Sequence, residues 1–106
     1  MRGERREGGR GHRVDRIAEQ IREEVSQIVG YELRDDRIGF TTVTDVRVSP
    51  DLATARIYVS VLGEPEEQQA AIAALNHAAA FVRRQLAPRL RTRRVPDLHF
   101  ALDDVL

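Results

Sequence analysis

Residues Val46 to Val61 read VRVSPDLATARIYVSV. In the second half Ala53, Ala55, Ile57, Val59 and Val61 alternate with Thr54, Arg56, Tyr58 and Ser60, the two-residue period of a strand with one face buried. Ser49-Pro50-Asp51-Leu52 supplies the turn: proline fixes φ at its second position, and Ser and Asp side chains can bond the local backbone. Upstream, Phe40 to Val48 is rich in Thr and Val and reads as a second strand. Its Val43 is out of phase with Val46 and Val48, which predicts a bulge near Asp45. A half-buried antiparallel hairpin therefore lies at the centre of the chain.

On the N-terminal side, Val14, Ile17, Ile21, Val25 and Ile28 recur every three or four residues, with Arg16, Arg22, Glu23 and Glu24 between them. This predicts one amphipathic helix ending near Gly30, followed by a polar loop through Asp35, Asp36 and Gly39. On the other side, Gly63-Glu64-Pro65-Glu66-Glu67 breaks the strand and opens a helix, with proline in the first turn and acids at the positive end of the helix dipole. The alanine-rich run to Phe81 favours helix, and Ile72, Leu75, Val82 and Leu86 continue its apolar stripe until Pro88 ends or kinks it. Val95 to Leu102 predicts a last strand with Leu98, Phe100 and Leu102 on one face. The fold class is therefore α+β: helices lying on one face of a three-stranded sheet, closing a single core.

Composition narrows the function. The 106 residues suffice for one modest core, and an apolar fraction of 42% with few aromatics means that Val, Ile, Leu and Ala must fill it. The chain has no cysteine, which removes disulfides, thiol nucleophiles and thiolate metal sites. No apolar run approaches the roughly 20 residues of a membrane span, and no hydrophobic signal core opens the sequence, so a cytoplasmic protein is expected.

The formal net charge is zero, but it is unevenly placed. Every basic residue except histidine is arginine. Residues 1–13 carry a net +3, residues 14–80 a net −6, residues 81–96 a net +6 and the last ten a net −3. The block from Phe81 to Pro96 holds Arg83, Arg84, Arg89, Arg91, Arg93 and Arg94 and no acid. Guanidinium groups stay charged, fork onto phosphate oxygens and stack on bases, so these six are the candidate RNA-binding residues. A helical projection puts Arg84 and Arg91 toward solvent, with Arg93 and Arg94 entering the last strand. The competing reading is that some of them only neutralise the acidic block. Residues 1–12, with no apolar residue after Met1, are expected to be a flexible basic arm ahead of the folded domain at 13–106.

The remaining polar residues form no recognisable catalytic or metal-binding pattern. His12, His77 and His99 are far apart with no motif around them, Ser49 and Ser60 lack a nucleophile context, and no metal, cofactor or catalytic residue is expected. Asp35, Asp36 and Asp45 are expected to be solvated. Arg56 and Tyr58 fall on the outer face of the hairpin and carry no assigned role.

Three stretches together resemble one family: Arg13-Val14-Asp15-Arg16-Ile17-Ala18-Glu19-Gln20-Ile21; Val46 to Leu52 with Ala55 and Ile57-Tyr58-Val59-Ser60; and Arg93-Arg94-Val95-Pro96-Asp97-Leu98. In order and spacing they resemble ribosome-binding factor A over roughly residues 13–104. The resemblance implies a type II KH-like fold, αββααβ, in a monomeric bacterial factor that is not an enzyme. It implies binding to the immature small (30S) ribosomal subunit and its 16S rRNA, and help in late maturation, including 16S rRNA 5′-end processing, above all in the cold. The alternative is a small protein-binding α+β adaptor whose basic face meets an acidic protein; a hydrolase or transferase ranks third. Two departures stand out. Where the family has an Ala-x-Gly helix kink in place of the Gly-x-x-Gly loop of ordinary KH domains, this chain has Ala78-Ala79-Ala80, which predicts a milder or differently achieved bend. Members also often continue past the last strand, whereas this sequence stops at Leu106, as it would if a C-terminal tail were missing.

Overall fold

The structure is a computed structural model that describes residues 9–33 and 35–103, with side chains from residue 13 onward. Helix α1 spans Gly9–Gln27 and is extended by a π-helical turn, Ile28–Glu32. Strands β1 (Thr41–Val48) and β2 (Thr54–Val61) form the hairpin. Helices α2 (Pro65–His77) and α3 (Ala79–Leu86) follow, then a 3-10 turn at Ala87–Arg89 and strand β3 (Asp97–Leu102). The order αββααβ is the expected one.

The sheet order is β1-β2-β3, with β1 antiparallel and β3 parallel to β2. On β2, Ala55, Ile57, Val59 and Val61 are buried, and Thr54, Arg56 and Ser60 are exposed. The buried set meets Val43 and Val46 of β1, Leu98 and Phe100 of β3, and Ile21, Val25, Leu75, Val82 and Leu86 of the helices in one core. All three helices thus cover one face of the sheet, and the other face stays open.

The bulge is where the phase change predicted it. Val43 pairs with Val59 and Asp45 with Tyr58, leaving Thr44 as the extra residue. Its hydroxyl lies 2.6 Å from an Asp103 carboxylate oxygen and 3.2 Å from the Tyr58 carbonyl. The hairpin turn is organised by Ser49. Its Oγ accepts from the N–H groups of Ala53 (3.2 Å) and Thr54 (3.0 Å) and donates to Asp51 Oδ1 at 2.7 Å. This network holds Leu52 at φ 62°, a left-handed conformation that a non-glycine residue rarely adopts.

Several boundaries differ from the sequence reading. Helix α1 begins by Gly9, ahead of Val14, so the last residues of the expected arm are helical; residues 1–8 lie outside the described residues. Gly30 does not stop the helix. It has room on its Cα and ordinary backbone angles, and the chain leaves the helix only at extended Leu33, whose N–H still reaches the Ile28 carbonyl at 3.1 Å. Phe40 is 80% exposed and precedes β1, and β3 starts at Asp97 rather than Val95.

The break between α2 and α3 falls at Ala78, with Ala79 and Ala80 opening α3. Ala78 has φ −90° and ψ 4°, and its N–H is shared between the carbonyls of Ala74 (3.0 Å) and Leu75 (3.1 Å). Because φ stays negative, the bend lies in a region open to any L-residue and needs no glycine. By contrast Gly63 is required. At φ 143° a Cβ there would meet Glu67 Oε1 at 2.8 Å, where Glu67 closes the capping box on the Glu64 N–H.

Helix α2 also finishes the sheet. The Asn76 carboxamide donates to the Phe100 carbonyl at 3.0 Å and accepts from the Phe100 N–H at 2.8 Å, taking the place of a neighbouring strand on the outer edge of β3. Asn76→Ala is expected to cost about 1–3 kcal/mol by stranding both groups, read as a lower urea midpoint. The Asp51 carboxyl is held below the usual carboxylate range, first by the Ser49 hydroxyl and then by the Ala53 N–H. A lowered folded value means the turn's contribution is complete above the ordinary carboxylate pKa and is lost as pH falls through the lowered one. Amide exchange at Ala53 and Thr54, followed from pH 5 downward, should therefore accelerate relative to the Ile57 amide.

Candidate nucleic-acid interface

The fold divides the six arginines by the groups they meet. Arg83, in the last turn of α3, points its Nε and Nη2 at the Val95 carbonyl (3.2 and 2.7 Å) and its Nε at the Pro96 carbonyl (3.2 Å), with Asp97 3.6 Å away. Arg89, in the 3-10 turn, places Nη2 2.6 Å from Glu32 and Nη1 3.9 Å from Glu24, and its own carbonyl accepts from the Gln20 carboxamide. Arg89 thus fits the competing reading that some of these residues neutralise the acidic block. The π turn matters here because it carries Glu32 to the Arg89 side of α1.

These two residues fix a loop. Leu90 and Pro96 are buried at its ends, Arg83 grips the exit, and Arg89 ties the entry to α1. Between the anchors Arg91, Arg93 and Arg94 are exposed in an irregular segment, so Arg93 and Arg94 precede the last strand rather than entering it. Among the described residues no carboxylate lies within 4 Å of the guanidinium of Arg84, Arg91, Arg93 or Arg94, although Arg94 is near enough to Asp51 to help lower its pKa. Arg84 is exposed on α3, away from the loop's groove.

The loop faces the first turns of α1. Arg91, Arg93 and Arg94 share an open groove of about 890 Å³ with Arg13 and Arg16, and Ile17, Gln20, Leu52, Glu19 and Glu23 also line it. Burial along α1 explains why these helix residues are available. Ile21, Val25 and Ile28 are fully covered, whereas Val14 and Ile17 are only half-buried where the helix runs out past the sheet. Arg13 and Arg16, which line this groove, were not among the candidates read from the sequence. The signal was there, since two arginines three apart lie on one helix face, but nothing in sequence spacing says which distant loop that face meets.

Five arginines against two glutamates give a groove suited to a polyanion, and it offers phosphate contacts rather than a pocket for one base. Among the described residues no cluster of three His, Asp or Glu side chains could hold a metal ion, and no helix is long and apolar enough to cross a membrane. His77 and His99 sit on α2 and β3, and Asp35 and Asp45 pair with Arg37 and Arg47.

Residues 13–106 match the family model described as ribosome-binding factor A. The chain belongs to the ribosome-binding factor A family. A relative of that name from Thermomicrobium roseum is 52% identical over 92 residues, covering 87% of this chain and 71% of the relative. Another from Desulfitobacterium hafniense is 46% identical, covering 87% of this chain and 74% of its own. Among solved structures, the crystal structure of ribosome-binding factor A from Thermus thermophilus superposes with a TM-score of 0.76 at 30% identity, over 84% of this chain and 93% of that one. A Thermus thermophilus ribosome-binding factor A homology model, fitted into a cryo-EM map of its complex with the 30S subunit, gives 0.67 at 32% identity over 79% and 88% of the two chains.

The division between anchoring and displayed arginines is testable without any ligand. Arg89→Ala should lower stability by about 1–2 kcal/mol, because it frees Glu24 of α1 and Glu32 of the π turn and loosens the loop, whereas Arg93→Ala should stay within about 0.5 kcal/mol of wild type. Urea unfolding followed by circular dichroism separates the two.

Proposed function

We propose that this protein is a ribosome assembly factor that binds the immature small subunit through 16S rRNA. In this reading it assists late maturation, including formation of the mature 16S 5′ end. The observation that carries the proposal is the loop of Arg91, Arg93 and Arg94 held against Arg13 and Arg16, in a chain of the ribosome-binding factor A family. The Thermus thermophilus relative fitted into a map of a 30S complex supports the same partner. The role is that of a binding factor rather than a catalyst, acting as a monomer in the cytoplasm.

The physical case is phosphate recognition. Several guanidinium groups on one surface displace counterions from RNA, and each phosphate contact contributes roughly 0.7–0.9 to the slope of log affinity against log salt. The α2–α3 junction at Ala78 has no Gly-x-x-Gly loop with which to clamp a single-stranded backbone. Recognition therefore rests on the shape and charge of a folded rRNA surface rather than on reading bases one by one.

Co-sedimentation with purified small subunits tests this, comparing wild type with Arg91→Glu, Arg93→Glu and Arg94→Glu combined. Arg83 and Arg89 are left intact so that the fold is preserved. Wild type should sediment with the subunit in a steeply salt-dependent way, and the triple variant should remain in the supernatant. Unchanged sedimentation of the variant removes this loop as the interface, and salt-sensitive binding to an acidic protein alone returns the adaptor reading. For the processing role, cells lacking the gene should accumulate 16S rRNA with an unprocessed 5′ end, measured by primer extension.

A further inference from the structure

The face of the sheet turned away from the helices carries its own charge pattern. Arg47 of β1 stands opposite Arg56 of β2, and Arg56 stands opposite His99 of β3, so three basic side chains occupy one level across the whole sheet. Like charges directly opposite one another destabilise a strand pair. Arg47 is offset by Asp45, 3.1 Å away, but among the described residues no carboxylate lies within 4 Å of Arg56. A sheet needing only a solvated outer face would do better with alternating signs.

Beside this row, Tyr58 lies two residues along β2 on the same face, its ring half-exposed. Tyr58, Arg47, Arg56 and His99, with Ser49 and Thr54 at the hairpin end, line a shallow concavity that shares no residue with the arginine groove. A flat platform with an aromatic ring, a planar guanidinium and an imidazole, two strand spacings or about 10 Å across, offers both stacking surfaces and cations. The carboxylates of an acidic protein would meet the charges but do not themselves stack on a ring. Single-stranded RNA uses both.

We propose that the open sheet face is a second RNA-binding surface, on which Tyr58 stacks a base and Arg56 and Arg47 hold the flanking phosphates. It takes an unpaired segment of RNA, in contrast to the folded surface met by the arginine loop. The proposal rests on the reading that the partner is ribosomal RNA, and it assigns a separate contact that the loop does not supply.

The test measures binding of the full chain to purified small subunits over a range of salt. It compares wild type, Arg56→Gln with Tyr58→Ala, and Arg93→Gln with Arg94→Gln. The sheet variant should bind about tenfold more weakly, with a salt slope lower by about one, while still unfolding in one cooperative transition whose stability falls by no more than alanine costs in place of tyrosine on a strand. A sheet variant that binds like wild type overturns the sheet surface and leaves the loop reading standing. A loop variant that binds like wild type beside a weakened sheet variant does the reverse, and no binding by wild type overturns both. Loss of that cooperative transition assigns these residues to the fold instead. Tyr58→p-benzoylphenylalanine, photolysed on the subunit, identifies the occupant: an adduct in 16S rRNA supports the proposal, and an adduct only in a ribosomal protein overturns it.

Discussion

The parallel pairing of β3 with β2 governs the rest of the structure. A parallel neighbour cannot be reached by a tight turn, so the chain must leave β2 at Val61 and return to the opposite end of the sheet before Asp97 can pair with Thr54. Helices α2 and α3 make that return while covering the apolar face. Their exit necessarily delivers residues 91–96 to the end of the sheet where the β1–β2 turn lies, and there Leu52, Arg93 and Arg94 come to line one groove with α1. With β2 in the middle of three strands, β3 lies on an edge, where the Asn76 side chain takes up its Phe100 backbone groups.

How much of this was legible in the sequence depends on how local the determining physics is. The strict alternation of Ala55, Ile57, Val59 and Val61 against polar neighbours gave β2 directly, and the phase slip after Val43 located the bulge at Thr44. The bend at Ala78 was expected from a family comparison, but its geometry was not. A chain can change direction at negative φ with any residue, so no composition marks it. Gly30 illustrates the converse: glycine is a common stop, yet here the apolar contacts of Ile28 and Val29 carry the helix through it.

The candidate site was half legible for a similar reason. Charge counting identifies the arginines of residues 83–94, because an acid-free basic run is visible without a fold. It cannot separate Arg83 and Arg89 from Arg91, Arg93 and Arg94, since the distinction depends on which carbonyls and carboxylates the tertiary structure brings near. Arg89 meets Glu32, 57 positions earlier in the chain. Arg13 and Arg16 join the groove only because the half-buried start of α1 projects beyond the sheet.

That division of labour bears on how this surface can vary. The chain uses no lysine, so all its strong bases look alike in sequence. Arg83 reaches two successive carbonyls with one planar fork, and Arg89 spans Glu24 and Glu32 with its two terminal nitrogens; a single ammonium point charge reproduces neither. At positions 91, 93 and 94 a lysine would keep the positive charge that a phosphate requires while giving up the bidentate fork and the stacking plane. The fold of this chain therefore depends on the guanidinium shape at the two anchors, while at the displayed positions a change of cation would touch only the contact with a partner.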